Sequence, residues 1–186
     1  SHLNKMKTSF KDATKVIKSL NNHFFIINKI KSTAHEVYIF QSNNNKYVLR
    51  IAIKEKPNYY TELWALKNQT KLKIPGPKLI KWDDTKEIIP YRWTIEECIE
   101  GEHISKKNKH KLIRTFKMIS QKELRIIHKQ KTIGFGHLDE KGKGKYKTWK
   151  DYLDAKFQKA YPELEKRKIL SQRDLKKIKK IHNNNI

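Results

Sequence analysis

At 186 residues, 37% of them hydrophobic, the chain can build one large domain or two small lobes, and its recurring aromatics and aliphatics exclude wholesale disorder. Lys and Arg outnumber Asp and Glu by 43 to 19, a formal charge of +24 that attracts polyanions, although the excess is dispersed lysine rather than an arginine-rich cluster. The single cysteine, Cys98, excludes an internal disulfide and a cysteine-based zinc site.

Phe10, Ala13, Val16, Ile17 and Leu20 recur at helical spacing, and Asn21-Asn22 ends that pattern. FFIINKI (24–30), EVYIFQ (36–41) and KYVLRIAI (46–53) read as strands, and the SNNNK stretch between the last two reads as a hairpin turn. NYYTELWALKNQTKL (58–72) has a helical Leu63, Leu66, Leu72 face, and IPGP (74–77) stops it. KLIKWDD (78–84) and YRWTIEECI (91–99) read as two more strands. From Lys107 to Lys129 there is one long amphipathic pattern through Leu112, Phe116, Ile119, Leu124 and Ile127. Thr148 and Asp151 form a T-x-x-D capping box for a helix over 148–168, and Ser171 with Asp174 repeats the device for 171–182. The order is one helix, five strands with a helix among them, then only helices, so α+β organisation in two lobes is expected, with the boundary near Gly101.

GFGHLDEKGKGKYKTW (134–149) holds four of the six glycines. A phosphate-binding P-loop needs a strand, then G-x-x-x-x-G-K-[ST], then a helix. This stretch has neither the spacing nor the context, and it reads as a connector with a flexible Gly142-Lys143-Gly144 turn. His128 reads as a packing residue at a helix end, and His137 lies on the connector. Arg50 on a strand and Glu62 on the following helix form the constellation with most chemical content. A cation on a central strand reaches nucleotide phosphates, an acid on an adjacent helix fixes its direction, and a guanidinium serves both.

YVLRI, TELWALKNQTKLKIPGPKLI, WTIEECIEGEHI and IIHKQKTIGFGHLD, in that order, resemble the aminoglycoside phosphotransferase family over roughly residues 25–160. The resemblance implies a protein-kinase-like fold: an antiparallel β-sheet N-lobe with one main helix (1–100, hinge near 96–101), then an incomplete helical C-lobe (102–186). It implies a kinase that transfers the γ-phosphate of ATP or GTP, with Mg²⁺, to a hydroxyl of a small molecule. Arg50 falls where the family contacts phosphate, Glu62 on its helix partner, and Thr33 on the loop over the phosphates. Glu97 and Ile99 fall on the hinge, where backbone groups would bond adenine. Ile30, Val37, Val48 and Ile95 are candidates for the wall of the adenine pocket. The family's H-G-D-x-x-x-x-N loop and following metal-binding Asp have no counterpart here. The expectation is therefore a nucleotide-binding portion without catalytic or metal-binding residues, inactive alone, with apolar helix faces that favour self-association.

The alternative is a basic nucleic-acid-binding module, with Trp64, Trp82, Trp93, Trp149 and eight tyrosines as stacking platforms beside lysines. No run of about 18 apolar residues occurs, and SHLNKMKTSF lacks the apolar segment of a signal peptide. A cytoplasmic protein with no membrane partner is expected.

Overall fold

The computed structural model describes residues 8–32, 35–53, 59–101, 109–168 and 170–185. The chain divides into two compact units, Ser1–Pro57 with Ala65–Lys129, and Asn58–Trp64 with Gln130–Ile186.

The first unit begins with α1 (Phe10–Lys18). Ser9 Oγ accepts the Asp12 backbone N–H at 3.1 Å, and Asp12 accepts the Ser9 N–H at 2.8 Å, so two otherwise orphaned helix donors are satisfied reciprocally. The i, i+3, i+4 spacing of Ala13, Val16 and Ile17 puts all three on one face, and all three are fully buried. They pack on an antiparallel sheet of β1 (Phe25–Lys31), β2 (His35–Ser42), β3 (Asn45–Ala52), β4 (Leu79–Asp83) and β5 (Trp93–Glu97), in the order β1-β2-β3-β5-β4.

The β2–β3 turn is tight because Asn43 and Asn44 both take positive φ, 49° and 63°, between the closing pair Ser42 and Asn45. Asparagine accepts this left-handed backbone more readily than most side chains, and two such residues match the twist of a hairpin. Strand alternation then sorts the faces. Tyr38, Phe40, Leu49, Ile51, Trp93 and Ile95 form the core with α1 and Ile89. Val37, Ile39, Val48, Arg50, Thr94 and Glu96 share the opposite face by register.

The helix α2 (Tyr59–Lys71) connects β3 to β4. In its last turns Lys67 lies 4.3 Å above the Trp82 ring of β4, and Gln69 donates its side-chain amide to the Pro77 carbonyl. The amphipathic stretch expected to run unbroken over 107–129 is two helices, α3 (Lys109–Gln121) and α4 (Glu123–His128), with the break at Lys122. The apolar side of α3 is open, with Leu112, Ile113, Phe116, Met118 and Ile119 exposed.

The second unit corrects the expectation of helices only. Its glycine stretch forms a hairpin of β6 (Phe135–Leu138) and β7 (Gly144–Tyr146). The turn is closed by hydrogen bonds: Asp139 Oδ1 accepts the N–H groups of Lys141 and Lys143 at 2.9 and 2.8 Å. Gly142 has φ +79°, and a Cβ there would sit 2.3 Å from the Trp64 indole nitrogen. A Cβ at Gly144 would meet the Phe135 backbone at 2.5 Å. These positions need glycine for close approach.

Two further helices follow, α5 (Trp149–Arg167) and α6 (Gln172–Asn185). Thr148 Oγ1 accepts the Asp151 N–H and Asp151 accepts the Thr148 N–H, both at 3.1 Å, which makes the expected capping box. At the start of α6 Ser171 Oγ accepts the Asp174 N–H at 3.2 Å and donates its own hydroxyl to the Asp174 carboxylate at 2.6 Å, a cap made through the side chain rather than the Ser171 N–H. The two helices meet where the His182 ring stacks on Phe157 at 3.8 Å and its Nε2 lies 2.9 Å from Asp154.

Candidate functional site

The sheet face opposite the core carries the candidate chemistry. Arg50 lies on β3, a central strand, opposite Thr94 of β5, and Val48 lies opposite Glu96. The diagonal brings Arg50 Nη1 to 3.4 Å from Glu96 Oε1, with side-chain exposures of 31% and 5%. Thr94 donates its hydroxyl to the same oxygen at 2.8 Å. Burying a carboxylate without partners is costly, and the cation and the hydroxyl offset that cost. Thr94 and Glu96 are absent from the expected site residues. Their signal was the alternation of YRWTIEECI: with Trp93 and Ile95 inward, Thr94 and Glu96 must share Arg50's face.

Glu62 lies half-buried in the first turn of α2, where the helix dipole favours an acid. Its neighbour Thr61 bonds Leu138 of β6: the hydroxyl accepts the Leu138 N–H at 2.8 Å and donates to its carbonyl at 3.3 Å. Thr33 lies outside the described residues. Glu97 ends β5 with an exposed side chain, and its N–H donates to the Lys78 carbonyl at 2.8 Å, so that group is spent within the sheet. Ile99 follows the strand and is exposed. A cleft of about 450 Å³ opens beside this connector, lined by Tyr47, Lys78, Ile80, Glu97, Cys98 and Glu100 among others.

Of the four candidate pocket-wall residues, Ile30, Val37 and Val48 share the Arg50 face. Ile95 does not. It is fully buried on the α1 side, because it is one residue out of phase with Thr94 and Glu96. His128 is exposed at the end of α4 rather than packed, and His137 is exposed on β6. The four tryptophans stand in four different settings. Trp93 is in the core, Trp82 is covered by Lys67, Trp64 lies against Gly142, and Trp149 packs on Phe135 and Tyr152.

Among the described residues no group of three or more His, Cys, Asp or Glu side chains converges to hold a metal. Among them, too, no helix is long and apolar enough to cross a membrane.

A five-stranded antiparallel sheet with a helix between its third and fourth strands, followed by mainly helical structure, is a protein-kinase-like α+β fold. Aminoglycoside phosphotransferase APH(4)-Ia shares it: its crystal structure matches with a TM-score of 0.64 at 16% identity, over 79% of this chain and 50% of that one. A thermostable mutant of that enzyme, in ternary complex with AMP-PNP and hygromycin B, matches at 0.61 and 16% identity, over 77% of this chain and 49% of that one. Its apo form matches at 0.61 and 14% identity, over 91% and 57%. The chain thus spans about half the length of these neighbours. No protein-family model matches the sequence, and no curated protein matches it.

Proposed function

We propose that the chain is the nucleotide-binding portion of an ATP-dependent small-molecule phosphotransferase that carries the γ-phosphate to a hydroxyl. The observation that carries this reading is Arg50, held by a buried carboxylate on the face of a kinase-like sheet opposite its core. Arg50 would contact the phosphates, Glu62 would help direct it, and Thr33 would cover them. Backbone groups of Glu97 and Ile99, in a hinge near 96–101 between lobes at 1–100 and 102–186, would hold the base. The AMP-PNP and ADP complexes of the structural neighbour favour ATP over GTP. That neighbour's hygromycin B is consistent with a small hydroxylated acceptor. With no H-G-D-x-x-x-x-N segment in its sequence, this chain alone should bind nucleotide and turn nothing over.

The test is calorimetric titration of the chain with an ATP analogue, run beside Arg50→Ala and repeated at high salt. Charge-assisted hydrogen bonds contribute about 1.5–3 kcal/mol each, so the variant should bind roughly 10- to 100-fold more weakly. Binding that ignores the substitution and vanishes with salt would replace this reading by a general polyanion surface.

A further inference from the structure

We infer that Glu96 sets base specificity: its carboxylate accepts the 6-amino group of adenine and rejects the 6-carbonyl of guanine or hypoxanthine. The inference rests on the nucleotide-binding reading above and deepens it.

Position comes first. Glu96 shares the sheet face of Arg50 and stands opposite Val48, one pleat closer to the Glu97–Ile99 connector than the Arg50–Thr94 pair. A nucleotide with phosphates at Arg50 and its base against that connector lies along this face and passes Glu96.

The hydrogen-bond inventory comes next. Glu96 Oε1 takes two donors, Thr94 Oγ1 at 2.8 Å and Arg50 Nη1 at 3.4 Å. Among the described residues Oε2 takes none, although the side chain is only 5% exposed. Oε2 is not among the fully buried unpartnered atoms of the described residues, so a donor brought by a ligand can reach its unspent acceptor capacity, and in this largely enclosed place the bond is worth more than at the surface.

The ligand's chemistry then follows. An ionised carboxylate accepts and cannot donate. Adenine offers an N–H donor at its 6-position. Guanine and hypoxanthine offer an oxygen there, which would face the carboxylate acceptor to acceptor. A site built to bond a donor discriminates strongly against an analogue that lacks it, because its own polar group is left unpaired. Backbone carbonyls of the connector can accept the same amino group, so the share that belongs to Glu96 is read from the Glu96→Gln variant.

The experiment is a ligand series on the full chain: ATP, ITP, GTP and the triphosphate of purine riboside, which has hydrogen at the 6-position. ATP should bind at least about tenfold more tightly than each of the other three. Glu96→Gln can turn its amide NH₂ toward a carbonyl, so it should close the ITP-to-ATP gap by about tenfold. Equal affinity of the unmodified chain for ATP and ITP would overturn the inference without any variant. A Glu96→Gln chain that loses ATP and ITP affinity in equal proportion would overturn it too, and would make Glu96 an anchor for Arg50 only. Arg50-dependent binding without base preference sinks this inference alone, whereas no nucleotide binding at all sinks the proposed function with it.

Discussion

Thr61 and Leu138 are bonded to each other twice, the threonine hydroxyl accepting one backbone group and donating to the other. One side chain of α2 thereby satisfies both polar groups of a residue on β6. Replacing Thr61 by Val keeps the shape and removes both bonds. Because the Leu138 N–H would be left without its partner in a half-buried place, the loss should be about 1–3 kcal/mol. In urea unfolding the midpoint should fall with the slope unchanged.

Gly142→Ala should destabilise the same hairpin. The alanine would hold a left-handed backbone at φ +79° and direct a methyl group into the Trp64 indole. The backbone part alone costs about 1–2 kcal/mol, and the overlap adds to it. Gly101→Ala is the control, since a Cβ there meets nothing within 4 Å. The loss should appear in thermal melts and in Trp fluorescence for the first variant and not for the second.

Acid should loosen the attachment of α1 to the sheet. Burial pushes the Glu36 carboxyl up, but hydrogen bonds from Thr8, Lys29 and Tyr38 outweigh it and hold the group below the usual glutamate range. A folded-state pKa below the unfolded one means stability that is complete above the unfolded value and fades as pH falls through the folded one. Lys29 is shifted the other way, raised chiefly by its bond to Glu36, so its share is complete below the ordinary lysine pKa and is lost only as pH rises through the folded value. Urea midpoints measured from pH 7 downward should drop on the acid side, and Glu36→Gln should flatten that limb.

Nucleic acid offers a sharp contrast with nucleotide. The dispersed +24 charge should give weak binding to RNA or DNA of any sequence. That affinity should fall steeply and log-linearly with salt, and Arg50→Ala should change it little. An affinity that survives high salt, or depends on Trp149, would reinstate a stacking site.

Elements bounded by strong local chemistry were legible in the sequence. The Asn43–Asn44 turn, the Thr148–Asp151 and Ser171–Asp174 caps, and the strand that carries Arg50 all rest on residues within a few positions of one another. The β6–β7 hairpin was not, because strands of four and three residues are too short for an alternation to emerge. The reason for Gly142 lies at Trp64, far away in sequence. The Arg50–Glu96 pair was half legible. Arg50 stood out as a cation on a strand, while alternation puts Glu96 on the same face of β5 as Thr94 and only the non-local β3–β5 register brings it to Arg50. Ile95 shows the same limit from the other side: one step of phase moves it from a candidate pocket to the core.

The sheet closes on neither side, since β1 and β4 end its strand order. Among the described residues no strand pairs with the outer edge of β1, and the strand carries the exposed Phe25, Ile27 and Ile30. Unpaired edges invite a second chain to add a strand, and charge on the strand and across the molecule opposes that addition. The opposition is Coulombic and fades as the Debye length shrinks from about 10 Å at 0.1 M salt to about 3 Å at 1 M. The net charge therefore acts as a solubilising brake on edge-to-edge growth, and concentrated salt, which strips away unspecific polyanions, releases that brake as well.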